Sequence, residues 1–447
     1  MPVNSKKVDV NSLVKGMYIA KLDRPWIETS YPIEGFYIQD DKDISQLRNL
    51  CRSVYIDIDL TKLHIDISNI ADNPGINLSN VNLQHLAEAQ KRLKQTNNAF
   101  TEKKKILIRE KNLYIQRVPF EKEFKTANKL YETVIHTASE ILSEITSEKQ
   151  INAKKINHTA SKMVDSIIRN PDTFLWLSRL KAKDSHTHNR SIRAAIWAIA
   201  FGRYLSLPKD ELTELSISVL LANIGKARLP RELLEKSEKL QGEELKTYQK
   251  HVNISVQLLK KTDAFSSRII ETVASHCERY DGTGYPRQLS QDEIFFPAQI
   301  AGLVSYYEKL TNHRDEQKSL DATRAMEHLY QLRNKKFQTE LIEEFIQSIG
   351  IYPAGSLIEL NSREIAVIVE QNEQQRLLPK VMILRDNQKN PVKDFKILDL
   401  LAIKTKNDHI PKIINSIPLG AYSIDSQEII NSILKADKNW VMKKLFS

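Results

Sequence analysis

The sequence predicts a multidomain α+β protein: a small β-rich N-terminal domain, an all-helical core and a small β module at the C-terminus. Three observations predict it. The 447 residues are enough for roughly three domains of about 150 residues each. Runs rich in β-branched and aromatic residues, separated by turn residues, lie at both ends of the chain. Between them, apolar residues recur at three- and four-residue intervals, the period of a half-buried helix.

In order, strands are expected at Val14 to Leu22, Gly35 to Gln39 and Ser53 to Ile58, with a turn at Asn73-Pro74-Gly75. From about Leu83 to Ile167 the pattern is long and helical, with few breakers after residue 136, and Pro171 stops it. Arg190 to Leu205 is amphipathic, with Ile192, Ile196, Ile199 and Ala200 on one face. A buried helix is expected at Leu212–Ile224. Further helices are expected at Gly242–Lys261, Ser266–Arg279, Pro297–Asn312, Ser319–Arg333 and Thr339–Ile349. The run Ile351-Tyr352-Pro353-Ala354-Gly355 ends the helical core. Strands follow at Leu357–Leu360, Glu364–Glu370 and Leu378–Leu384. The expected domains are 1–130 (β-rich to about 82, then a basic helical connector), 136–349 and 350–447.

Composition narrows the class. A hydrophobic fraction of 41% with 27% charged residues fits a globular protein and excludes a disordered or fibrous one. No stretch approaches the ~18 consecutive apolar residues of a spanning helix. The start, Met1-Pro2-Val3-Asn4-Ser5-Lys6-Lys7, has charge but no apolar segment behind it, unlike a secretory signal. The two cysteines, Cys51 and Cys277, make no disulfide framework, which suits a reducing cytoplasm. The formal charge is +10, and it is uneven. Residues 91–130 hold twelve Lys/Arg against four Glu, a local balance of +8. That stretch reads either as a solvated helical connector or as a phosphate-attracting surface. It has no groove-reading motif, so a nucleic-acid partner is not expected.

The most specific segment is His276-Cys277-Glu278-Arg279-Tyr280-Asp281-Gly282-Thr283-Gly284-Tyr285-Pro286. A helix end runs into a loop with two glycines and a proline, which can hold a tight, rigid shape. With Asn223-Ile224-Gly225-Lys226 upstream and His251 between, residues 136–349 resemble the HD-GYP family, a bacterial branch of the HD metal-dependent phosphohydrolases. Residues 1 to about 130 resemble the domain of unknown function often found ahead of it, through Val14-Lys15-Gly16-Met17-Tyr18, Gly35-Phe36 and Val54-Tyr55-Ile56-Asp57. The resemblance implies an all-helical HD-type core, and active members of the family hydrolyse cyclic di-GMP.

The resemblance also shows where this chain departs. Hydrolysis of this kind uses two metals about 3.5–4 Å apart to clamp the phosphate and activate water. The family's first ligand histidine corresponds to Arg190, and a glutamate some members carry one turn earlier corresponds to His186. The doublet that names the family is Ala222-Asn223, and a late aspartate corresponds to Ser305. Alanine cannot ligate, Asn223 and Ser305 carry no negative charge, and Arg190 puts a permanent cation where a metal would sit. A paired-metal site is therefore not expected. His251 and His276 remain, and Cys277 stands where the family has a second histidine. Two imidazoles and a thiolate could seat a single zinc, or else iron or manganese. The other reading is a vestigial site of ordinary hydrogen-bonded histidines.

Lys226 matches the family's phosphate-contacting lysine, and Arg314 an arginine after the last ligand helix. Arg190, Lys226 and Arg314 could cradle a cyclic dinucleotide without cleaving it; alternatively Arg190 only neutralises a neighbouring carboxylate. The loop of Asp281, Gly282, Gly284, Tyr285 and Pro286 is either a fold element or a docking edge. In the family it has been linked to GGDEF-type diguanylate cyclases. The resulting expectation is a cytoplasmic protein of cyclic di-GMP signalling that binds a partner or the dinucleotide. A phosphodiesterase of weak or altered metal-dependent activity is the alternative.

Overall fold

The computed structural model describes residues 5–23, 36–38, 41–57, 114, 118–181, 187–236, 240–312, 318–350, 352–372, 378–404, 411–417 and a few positions between 422 and 433. Arg314, His186, the Asn73-Pro74-Gly75 turn and the basic stretch over 91–113 lie outside the described residues. Two compact units emerge, Met1–Ile106 and Leu107–Ser447.

The first unit holds a four-stranded antiparallel sheet of order β1-β4-β2-β3. The strands are β1 (Ser5–Asp9), β2 (Tyr18–Leu22), β3 (Phe36–Tyr37) and β4 (Ser53–Asp57), with helix α1 (Asp41–Leu50) before the last. Three of these strands fall in the predicted runs; β1 and α1 were not predicted. The small core joins Val10, Ile19, Leu22, Ile38, Leu47, Val54 and Ile56.

The second unit opens with α2 (Phe120–Thr146) and α3 (Ala153–Arg169). The predicted long run is thus two helices, broken where Glu148 takes a left-handed φ of 57° and Asn152 caps the next helix by accepting from the Lys155 amide at 3.1 Å. Pro171 starts a helix rather than only stopping one. It occupies the first turn of α4 (Pro171–Leu180), where its missing N–H costs nothing, and Asn170 caps Thr173. Then come α5 (Thr187–Tyr204), α6 (Lys209–Leu221), a 3-10 turn over Ile224–Arg228 and the short α7 (Arg231–Glu235). The helix predicted over 242–261 is two, α8 (Gly242–Gln249) and α9 (His251–Thr262). The remaining core helices are α10 (Ser267–Ser275), α11 (Phe296–Thr311), α12 (Ala322–Gln331) and α13 (Thr339–Ile349).

Burial of apolar faces holds this unit together. Ile141, Ile145, Ile156, Ile217, Leu221, Leu259, Ile269 and Val273 form one core cluster. Trp176 meets Phe120 and Phe124 edge-on at 5.5 Å, and Trp197 meets Tyr307 at 5.2 Å. Between α5 and α11, Arg193 and Glu308 form a fully buried ion pair. A five-stranded antiparallel sheet of order β8-β7-β6-β5-β9 closes the unit. Its strands are β5 (Leu357–Leu360), β6 (Ile365–Glu370), β7 (Lys380–Arg385), β8 (Pro391–Asp399) and β9 (Ile413–Ile417), with α14 (Leu400–Lys404) before the last. Its central strand β6 is buried throughout and lies against α4. The Asp172 carboxylate accepts the Gln371 amide at 2.8 Å, and Gly355, at φ 82°, sits within 3.2 Å of α4 by way of the Cβ it lacks.

Candidate functional site

The site starts at the end of α6. Ala222 is buried and Asn223 is half-buried ahead of the 3-10 turn. The turn lies hard against α9. A Cβ on Gly225 would fall 2.1 Å from the His251 carbonyl oxygen and 2.7 Å from the Ser255 nitrogen, so no other residue fits without backbone movement. Ser255 stitches the contact: its hydroxyl accepts from the Gly225 amide at 2.9 Å and donates to the Ala222 carbonyl at 3.0 Å.

That contact sets His251 beside the turn. His251 is 1% exposed. Its Nδ1 lies 2.7 Å from the Tyr248 carbonyl, which can only accept, so the proton is on Nδ1 and Nε2 keeps its lone pair. The same contact satisfies a carbonyl in the last turn of α8, where helix geometry leaves it without an in-helix partner. His276, at the end of α10, repeats the arrangement with Nδ1 2.7 Å from the Val273 carbonyl. The Cys277 sulfur lies 3.3 Å from His276 Nε2. The ligand atoms of His251, His276 and Cys277 all lie within 4.8 Å of one another, and all three residues are buried. Among the described residues, His251 Nε2 has no hydrogen-bond partner.

Electrostatics follow from burial. Loss of water holds His251 below the ordinary imidazole range, and the nearby Lys226 charge adds to this. Burial alone would push the Cys277 thiol up; the His276 and His251 imidazoles beside it outweigh burial and bring it well below the ordinary thiol range. Tyr285 stands edge-on to His251 at 6.0 Å, and burial pushes its phenol up.

The loop after Cys277 is built by the same close approach. A Cβ on Gly284 would fall 2.3 Å from the Arg279 nitrogen. The Glu278 carboxylate, raised by burial, accepts the amides of Arg287 at 2.7 Å and Leu289 at 3.1 Å. Asp281 accepts from the Thr283 amide at 3.0 Å, while its own amide donates to the Lys335 carbonyl at 2.9 Å. Asp281 and Thr283 face outward, Gly282 takes a φ of 77°, and the Tyr285–Pro286 bond is cis.

The predicted residues thus separate. His251, His276 and Cys277 come together. Lys226 joins them through Tyr248, its ammonium 5.3 Å from that ring's centroid. Among the described residues it pairs with no carboxylate. Arg190 is half-buried on α5 and its charge reaches Glu308. Ser305 is half-buried on α11, one turn before Glu308. Sequence reasoning did not identify Tyr248, Ser255, Arg193 or Glu308. The signal for Ser255 was a hydroxyl on the apolar face of a helix opposite an obligatory glycine.

The donor set fits one ion. Two fixed imidazole lone pairs and a thiolate make three ligands of the kind a tetrahedral site takes. No carboxylate joins the three-residue grouping, which stands alone among the described residues.

Comparison with known proteins gives the class. Residues 177–341 match the family described as HD domain, and residues 5–156 match the domain of unknown function DUF3391. The chain is an HD-domain protein carrying an N-terminal DUF3391 domain. It is 32% identical over 228 residues to a cyclic di-GMP phosphodiesterase of Pseudomonas aeruginosa, covering 50% of this chain and 55% of the relative. It is 30% identical over 231 residues to a cyclic di-GMP phosphodiesterase of Borreliella burgdorferi, covering 50% of this chain and 59% of the relative. The matches therefore span less than two thirds of either relative. A solved HDG"Y"P protein from Bdellovibrio bacteriovorus aligns at 14% identity with a TM-score of 0.43, covering 76% of this chain and 98% of its own.

Proposed function

We propose that this chain acts in cyclic di-GMP signalling in the cytoplasm as a binding protein, without the paired-metal hydrolysis of active HD-GYP proteins. The observation that carries this reading is the grouping of His251, His276 and Cys277 in ligating geometry. The positions matched to the family's other ligands by resemblance are Ala222, Asn223, Ser305 and Arg190, which offer no carboxylate or imidazole. A bound ion would supply a fixed positive charge for a phosphate. The residues of the chain would do the rest. Lys226, and Arg190 and Arg314 in the same role, would hold phosphate oxygens. Tyr285 would wall off His251 from water. The outward Asp281–Thr283 edge of the loop would meet a GGDEF-type or other signalling protein. The ligating geometry of the three residues favours a second reading, a slow phosphodiesterase with a single zinc, iron or manganese ion.

The two readings separate in one assay. The full chain is incubated with cyclic di-GMP and Mn(II), and linear product is followed while calorimetry records binding. The expected result is binding that Lys226→Ala weakens, no product above blank, and about one metal equivalent lost in His276→Ala. Turnover abolished by His276→Ala would replace the first reading with the second.

A further inference from the structure

A cavity of about 360 Å³ lies in the helical core beside the His251 cluster, and none of the three ligand residues lines it. Its size falls in the range of small-molecule sites. Val134, Ala138 and Ile141 of α2 supply one wall at helical spacing. Ile156, Leu220 and Ile224 supply the facing walls.

The polar lining is sparse and mostly committed. The Thr137 hydroxyl donates to the Thr133 carbonyl at 2.9 Å and lies 3.3 Å from that of Thr159. The Thr146 hydroxyl donates to the Leu142 carbonyl at 2.7 Å. Ser191, Asn223 and Lys226 complete the set, and Lys226 is the one charged side chain among the described residues of the wall. Among the described residues, no aromatic ring lines the space. A nucleobase would find neither a stacking surface nor a set of free edge-reading groups there. An aliphatic chain would find mostly apolar walls, and an acidic head would find an ammonium that pairs with no carboxylate among the described residues.

We infer that this cavity binds a medium-length acyl chain with an anionic head group. The chain lies among Val134, Ala138, Ile141 and Leu220, and the head meets Lys226 and the Asn223 amide. The driving force is burial of methylenes, with a charge-assisted hydrogen bond fixing direction.

Calorimetric titration of the full chain with decanoate, kept below its micellar concentration, tests this. Saturable one-to-one binding is expected. Lys226→Met, or decanol in place of decanoate, should weaken it about tenfold or more. Ala138→Trp, which fills the cavity, should remove it; should that variant fail to fold by circular dichroism, Leu220→Phe decides. No binding by the parent, or undiminished binding by the folded cavity-filled variant, overturns the proposal. Parallel titration with cyclic di-GMP keeps the two readings apart. Decanoate binding without cyclic di-GMP binding removes the signalling reading and leaves this one standing.

Discussion

At the scale of single residues, glycine decides where the ligating groups stand. Gly225 lets the turn after α6 touch α9, and the atoms a Cβ would strike are main-chain atoms that cannot rotate aside. Gly225→Ala should therefore lower stability by about 3 kcal/mol, the upper end of overpacking costs, and reduce bound metal. Urea unfolding and metal analysis check it; a variant equal to the parent in both would refute the role given to the close approach. Much of this site was readable from the sequence. His251, His276 and Cys277 were named from the resemblance to the HD-GYP family, and the structure brings their donor atoms together. Their hydrogen-bond partners were not readable, because Tyr248 and Val273 contribute carbonyl oxygens, and main-chain groups leave no mark on residue identity.

At the scale of elements, α5 and α11 are locked by a pair that motif reasoning passed over. Arg193 and Glu308 are about as buried as any ions among the described residues. Burial raises the Glu308 carboxyl, and Arg193 opposes that shift. Arg193→Met leaves a buried carboxylate without its partner and should cost about 3–5 kcal/mol in chemical denaturation. Arg193→Met combined with Glu308→Leu should recover most of that loss, since a well-packed apolar pair replaces a buried ionic one at little net cost. A double variant no more stable than the single one would show that the helices are held by something else. Periodicity located most of these helices, while breaks inside the runs escaped it. The split between α2 and α3 depends on a left-handed Glu148, and that between α8 and α9 falls at Lys250, within a continuous apolar pattern. Neither interrupts the apolar pattern. The strands β8 and β9 were missed for another reason: Lys393, Asp394, Lys396 and Asn415 dilute the β-branched residues that mark the buried β6.

At the scale of the molecule, the C-terminal sheet and the helical core share one compact unit. β6 packs on α4, and the Asp172 carboxylate ties the end of α4 to the residue after β6. The two should open together. Native-state amide exchange in rising urea should bring β6 and α4 to a common opening free energy. Separate free energies, with the sheet released first, would count against a single cooperative block. The division of the chain into a β-rich start, a helical middle and a β end was legible because each change of hydrophobic period is long. What joins sheet to core was not, since one side-chain-to-amide hydrogen bond across 199 positions leaves no local pattern.

The two imidazoles keep their orientation through oxygens of the main chain, and neither depends on the identity of the third donor. An engineer could thus exchange Cys277 for histidine or aspartate with both rings already aimed. Any donor placed there would meet two partners that need no further positioning.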